Sequence, residues 1–364
     1  MGRDYKMAHP LTSGCHQELT SSQCLPRLDE APNHFHLSYV VLCLENAVKT
    51  NNFQLSAKCQ EEVRSHRELI MNDFRLSPEV VMSCAGEIGK QCQNEVNGGT
   101  LHCLMRLGKE QKLGPQCLQQ IQYTLKVADV DSNYRVDRVL QAACKEVLEQ
   151  RCAADQSEDG VLSCLMRHLD DAGTPQQCRD RLLEIEYFVA REWSLDAHLY
   201  VACKKDAQTK CNAPDRWHAT AGGGRPAAVG PEPGPQVLAC LYRHAYDADK
   251  VKQQQLSTTC RSEVMRVVRE RAARVELLPE LAGACHDFLV AECREHTEKG
   301  EEMDCLQERV EDDLEGFKSQ HPKCYKAVVE YTAMESVDIR LKKALVKACQ
   351  PVISSHCDVR IRND

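Results

Sequence analysis

The chain has 364 residues, 22 cysteines, 5% aromatic residues and a net charge of −8. An acidic balance excludes the basic footprint of a nucleic-acid binder, and so few rings argue for several small cores rather than one large one. An even cysteine number without a single Cys-x-x-Cys pair points to disulfides in an oxidising compartment, not to a metal finger or a redox motif.

In chain order the cysteines fall into fours, and each four defines a repeat. Repeat one (1–72) holds Cys15, Cys24, Cys43 and Cys59, and repeat two (73–132) holds Cys84, Cys92, Cys103 and Cys117. Repeat three (133–192) holds Cys144, Cys152, Cys164 and Cys178, and repeat four (193–275) holds Cys203, Cys211, Cys240 and Cys260. Repeat five (276–336) holds Cys285, Cys293, Cys305 and Cys324, and Cys349 and Cys357 begin a truncated repeat six (337–364). First and second cysteines are 8 apart in every repeat but the first, where they are 9 apart. The second-to-third interval varies, as surface loops do.

The local signals are helical. Tyr39–Leu44 is the one stretch that also reads as a strand. Ser77-Pro78 predicts an N-cap followed by proline in the first turn. Pro279 stands at the matching place in repeat five, and Asp137 and Asp196 are candidate caps one position earlier. Cys178, Leu182, Ile185, Val189 and Trp193 step by 4, 3, 4 and 4, an amphipathic stripe. Four residues after each fourth cysteine stand Val63, Ile121, Leu182, Val264 and Val328, apolar in every copy. Ala213–Gln236 is rich in glycine and proline and predicts a mobile loop. The fold class expected is all-α: tandem disulfide-bonded three-helix repeats forming an elongated array.

Residues 8 apart in a helix are about 12 Å apart along its axis, whereas a disulfide needs Cα atoms within about 7 Å. The first and second cysteines therefore do not bond each other if their helix is intact. Nested and crossed pairings remain within a repeat, and bonds between repeats stay open. An antiparallel turn between helices favours the nested set. It gives Cys15–Cys59, Cys24–Cys43, Cys84–Cys117, Cys92–Cys103, Cys144–Cys178, Cys152–Cys164, Cys203–Cys260, Cys211–Cys240, Cys285–Cys324 and Cys293–Cys305.

No His-Glu-x-x-His, Gly-x-Ser-x-Gly, P-loop or dinucleotide fingerprint occurs. No catalytic residue, cofactor site or metal site is therefore expected, and each of the 14 histidines reads as solvent-exposed, including the N-terminal His9, His16, His34 and His36. Two charge runs could bind partners. Arg261, Arg266, Arg269, Arg271 and Arg274 form a basic run that could take a sulfated glycan or pair internally with Glu263 and Glu270. Between Cys285 and Cys324 stand twelve acidic and five basic residues. Glu311, Asp312, Asp313 and Glu315 within it are the candidate site for a basic ligand.

The Ala-Cys lead-ins at Ala143-Cys144, Ala202-Cys203, Ala284-Cys285 and Ala348-Cys349 recur with Cys103-Leu104-Met105-Arg106 and Cys164-Leu165-Met166-Arg167. From Cys15 to Cys357 this pattern resembles the cysteine-rich fibroblast growth factor receptor family. The resemblance implies a type I membrane glycoprotein of the Golgi. Its luminal repeats would bind basic growth factors of the fibroblast growth factor type and act in their trafficking. Some forms would serve selectin through glycans, which this segment does not place because it has no Asn-x-Ser/Thr sequon. Neither a signal peptide nor a membrane-spanning segment is legible, so the chain is expected to be a luminal piece of a longer precursor, its membrane attachment made only through a missing C-terminal anchor.

Overall fold

The computed structural model describes residues 9–22, 24, 37–51, 53–95, 98–130, 134–153, 158–213, 233–246, 255–296 and 300–356. Among them there is no strand. The chain divides into two compact units: of the described residues, those within 9–189 and 194–197 lie in the first, and those within 190–193, 198–213 and 233–356 in the second.

The first unit carries repeats one to three. Repeat one consists of α1 (His9–Gly14), α2 (His16–Ser21), α3 (Leu37–Asn51) and α4 (Ala57–Asn72). Repeat two has α5 (Pro78–Ser83), α6 (Ala85–Gln91), α7 (Gly99–Lys109) and α8 (Pro115–Ala128). Repeat three has α9 (Arg138–Ala143), α10 (Lys145–Gln150), α11 (Glu158–Arg167) and α12 (Gln176–Val189). In all three the first helix pauses at its first cysteine. The i to i−4 hydrogen bonds nevertheless run on: Cys84 N–H donates to Val80 O at 2.9 Å, and Ile88 N–H to Cys84 O at 2.9 Å.

In the second unit the first helix is unbroken. Repeat four has α13 (Ala197–Cys211), α14 (Pro233–Tyr246) and α15 (Thr258–Arg271). Repeat five has α16 (Pro279–Glu292), α17 (Glu301–Asp312), an added short α18 (Leu314–Gln320) and α19 (Pro322–Val337), and repeat six shows α20 (Lys343–His356). Tyr39–Leu44 is helical within α3, so its β-branched pair yielded to the apolar face it buries: Val40, Val41, Leu42 and Leu44 are all fully buried. Most of the glycine- and proline-rich segment, 214–232, lies outside the described residues, and α14 begins at Pro233, inside the predicted loop. Proline suits the first turn of a helix, where its missing N–H has no partner to lose.

The caps follow the sequence in part. Asp137 Oδ1 accepts from Leu140 N–H at 2.9 Å, whereas Ser77 occupies the N-cap of α5 without a side-chain bond. The amphipathic stripe of repeat three is buried from Cys178 to Trp193, but α12 ends at Val189. Val63, Ile121, Leu182, Val264 and Val328 are buried in all five copies.

Among the described residues ten disulfides close repeats one to five. First cysteines bond fourth ones: Cys15–Cys59, Cys84–Cys117, Cys144–Cys178, Cys203–Cys260 and Cys285–Cys324. Second bond third: Cys24–Cys43, Cys92–Cys103, Cys152–Cys164, Cys211–Cys240 and Cys293–Cys305. Each bond in this arrangement stabilises by about 3 kcal/mol in the chain-entropy account, a large share of what a ~60-residue helical unit has.

A second staple recurs in register with the first. The residue three after the first cysteine faces the backbone three before the fourth. Ser56 N–H donates to Glu18 Oε1 at 3.0 Å, Gly114 N–H to Glu87 Oε1 at 3.2 Å and Ser257 N–H to Asp206 Oδ2 at 2.8 Å. In repeat three the same positions are Val147 and Pro175, an apolar residue and a residue with no N–H to satisfy. In repeat five they are Phe288 and His321, whose rings lie 5.2 Å apart, with Phe317 from α18 4.8 Å from Phe288. Where the carboxylate is missing, the N–H is either missing too, as at Pro175, or bonded elsewhere, as at His321, whose N–H donates to Phe317 O at 2.8 Å.

Candidate ligand-binding face

The acidic run of repeat five is carried by α17 and α18. Asp304, Glu308, Glu311 and Asp312 advance along α17 at spacings that keep them on neighbouring parts of one face, and Glu315 opens α18. All five are exposed. Glu308, Glu311, Asp312 and Glu315 make no ion pair or side-chain hydrogen bond among the described residues. The carboxyl of Asp304 is pushed up by partial burial and by Glu308 and Glu301 beside it, with Lys342 opposing, so like charges crowd here.

Asp313 differs from its neighbours. It is exposed, but its Oδ1 accepts from Gly316 N–H at 3.0 Å and caps α18. A Cβ on Gly316 would crowd the Asp313 carboxylate in its present position. The structure places Glu311, Asp312 and Glu315 as free surface charge and gives Asp313 a folding role.

The basic run of repeat four is arranged otherwise. Arg266 pairs with Glu263 at 2.7 Å and with Glu270 at 2.8 Å. Arg269 pairs at 2.7 Å with the buried Asp338, Arg271 is 3% exposed and donates to Tyr242 Oη at 3.1 Å, and Arg261 donates to Ala245 O at 3.0 Å. Arg274 also has an interaction within the chain. Most of the run is turned to contacts within the chain: Arg266 and Arg269 meet carboxylates and Arg271 is buried, while Arg261 is exposed and bonded to a neutral carbonyl.

Among the described histidines, His66, His102, His168, His244 and His321 are not exposed, and His102 departs furthest from that expectation. His102 is 1% exposed and lies between two carboxylates: its Nε2 is 2.7 Å from Asp137 Oδ2 and its Nδ1 is 3.0 Å from Glu184 Oε2. Burial opposes charging, but Asp137 and Glu184 outweigh it and raise the imidazole to about 9. Arg181 Nη1 donates to the same Glu184 at 2.7 Å. His102 thus fastens α7 of repeat two to α9 and α12 of repeat three. His66, by contrast, is lowered to about 4, mainly by burial and then by Arg67. His16 is exposed, and His34 and His36 lie outside the described residues.

Neither cluster is a catalytic arrangement. His102 is sealed from substrate, and its partners hold it charged, so it supplies neither a general base nor a reachable metal ligand. An open groove of about 1250 Å³ in the first unit is lined by Arg75, Arg138 and Arg181 with Glu68, Asp73 and Glu95. It is balanced in charge and brings together no nucleophile and base. No helix is long and apolar enough to cross a membrane among the described residues.

The chain matches the cysteine rich repeat family over residues 57–112, 115–173, 176–249, 258–314 and 322–363. Each match opens at the first residue of a fourth-cysteine helix, so the family's frame is offset from the disulfide frame. Residues 115–173 contain Cys117, Cys144, Cys152 and Cys164. The bond Cys84–Cys117 therefore joins two consecutive family repeats, while Cys152–Cys164 stays inside one. The Golgi apparatus protein 1 homolog of Caenorhabditis elegans is 44% identical over 98% of this chain and 31% of its own length. Golgi apparatus protein 1 of Mus musculus and of Homo sapiens are each 38% identical over 98% of the chain and 29% of theirs. The chain thus spans less than a third of the length of these relatives. No solved structure matches it. The chain belongs to the cysteine rich repeat family found in the Golgi apparatus protein 1 relatives, a non-catalytic family of Golgi proteins.

Proposed function

We propose that this chain is a luminal binding scaffold that engages basic protein ligands of the fibroblast growth factor type through the acidic face of α17 and α18. The observation that carries this reading is the exposed, unpaired set Glu308, Glu311, Asp312 and Glu315. A disulfide-stapled helical frame holds these carboxylates in fixed relation without help from a ligand. Clustered exposed charge raises the rate of encounter with an oppositely charged partner and makes binding salt-sensitive.

The six repeats, read in the disulfide frame 1–72, 73–132, 133–192, 193–275, 276–336 and 337–364, are the units of this scaffold. Repeat five is the ligand-bearing one. Membership of a Golgi family supports a role in growth-factor trafficking. A luminal position agrees with the ten disulfides.

The test is binding of a basic fibroblast growth factor to the oxidised chain, compared with a variant carrying Glu308→Gln, Glu311→Gln, Asp312→Asn and Glu315→Gln. Asp313 is left intact because it caps α18. Weakened binding with a flattened salt dependence supports the assignment. If the unaltered chain retains no growth factor, it is a spacer or adhesion segment whose ligands lie elsewhere.

A further inference from the structure

Each complete repeat has an inner disulfide between its second and third cysteines, and the one in repeat four, Cys211–Cys240, has both cysteines half-buried, whereas in repeat one only Cys43 is half-buried and Cys24 is buried. In repeats two, three and five both inner cysteines are buried: Cys92 and Cys103, Cys152 and Cys164, Cys293 and Cys305. His244 stands one helical turn after Cys240 on α14. One of its ring nitrogens and the two sulfurs all lie within 4.8 Å of one another. Repeat three has a histidine at the same position, His168, whose Nδ1 is 2.8 Å from Asp171 Oδ2, and among the described residues it forms no such group with Cys152 and Cys164.

We propose that Cys211, Cys240 and His244 form a redox-gated site for zinc or a similar soft divalent cation. In the oxidised chain the sulfurs are bonded to each other and offer no thiolate. A dithiol reductant transfers two electrons to the bond and becomes a disulfide itself, leaving two thiols on the protein. Binding of the cation then releases two protons to solvent, and the two thiolates and the neutral imidazole become three ligands. Water completes the tetrahedron.

Three arguments support this. A thiol beside an imidazole is held toward its reactive thiolate form, and a half-buried disulfide is reached by a reductant before a fully buried one. Two sulfurs and one ring nitrogen are the donor set zinc takes at open sites. Thiolates about 2.3 Å from one zinc stand about 3.7 Å apart, so the sulfurs need only part by less than 2 Å. The frame also survives opening of the inner bond. The outer bond Cys203–Cys260 is buried, and Asp206 clamps Ser257 beside it. These hold α13 against α15, which α14 packs upon.

The experiment treats the oxidised chain with a limiting dithiol, alkylates the thiols released and maps them by mass spectrometry. A second sample, freed of reductant under argon, is titrated with Co2+ and then with Zn2+. Early release of Cys211 and Cys240, followed by uptake of one cobalt with sulfur-to-cobalt absorption that zinc abolishes, is the expected result. His244→Ala should weaken cobalt at least tenfold, and His168→Ala should leave it unchanged. Unfolding by His244→Ala would be seen in its helical circular dichroism. In that case His244→Gln, which keeps the bulk without a strong ligand, supplies the same comparison. The proposal falls if the pair opens no sooner than Cys152–Cys164, or if the reduced chain shows no sulfur-to-cobalt band.

Discussion

The arginine run of α15 and the acidic run of α17–α18 look alike as sequence: each is a cluster of one sign on a helical segment. The fold treats them in opposite ways. Arg266 and Arg269 meet carboxylates, and Arg271 is buried against Tyr242. Glu308, Glu311, Asp312 and Glu315 face water with no partner among the described residues. A charge run therefore indicates a binding surface only when the fold leaves its charges unpaired. The runs also differ in what they do for stability, since paired buried charges hold the structure and exposed like charges do not.

The largest effect is expected where a charge is most enclosed. His102→Leu leaves Asp137 and Glu184 facing each other in the interior, and removing one member of a buried ionic group costs about 3–5 kcal/mol. Chemical denaturation of the chain should show that loss, and a loss below about 1 kcal/mol would mean the cluster is wetter than drawn. The same cluster sets a pH dependence. The imidazole is about 9 when folded and near 6.5 when unfolded. Its contribution is complete below about pH 6.5 and is lost as pH rises through 9. A melting temperature that falls across that window in the wild type, and less in His102→Gln, would bear this out.

Arg269→Ala comes next. It strips one partner from the buried Asp338 but leaves Arg340, 2.8 Å away, so about 2 kcal/mol is expected. Glu87→Ala removes one carboxylate staple at the Gly114 N–H and should cost about 1 kcal/mol. The smallest stability change belongs to the acidic face. The four-residue neutralisation of Glu308, Glu311, Asp312 and Glu315 should shift stability by less than about 0.5 kcal/mol per residue, while weakening a basic ligand roughly tenfold at low salt. An equal loss of stability and binding would erase the contrast between the two runs.

Much of this was legible before any coordinates. Cysteine spacing carried the repeat, and the apolar position after each fourth cysteine carried the core face, because both are local periodicities. The carboxylate staples were within reach too: aligned on the cysteines, Glu18, Glu87 and Asp206 fall in one column and Pro175 in the column of their partners. His102 was not legible. Its partners are 35 and 82 residues away, and no local pattern distinguishes it from an exposed histidine. The same distance rule separated the arginines, since Glu263 and Glu270 are helical neighbours of Arg266 whereas Asp338 is 69 residues from Arg269. The start of α14 at Pro233 was obscured because a proline-rich composition reads as loop even where one proline opens a helix.

Everything above stands on the nested disulfide frame, since it holds each helix against its neighbours and leaves the acidic face fixed and bare. The direct measurement is non-reducing peptide mass spectrometry of the chain produced in an oxidising host. The account predicts peptides joining first to fourth and second to third cysteines in repeats one to five, among them Cys84 with Cys117 and Cys92 with Cys103. A peptide joining Cys144 to Cys164, or free thiols throughout, would contradict it.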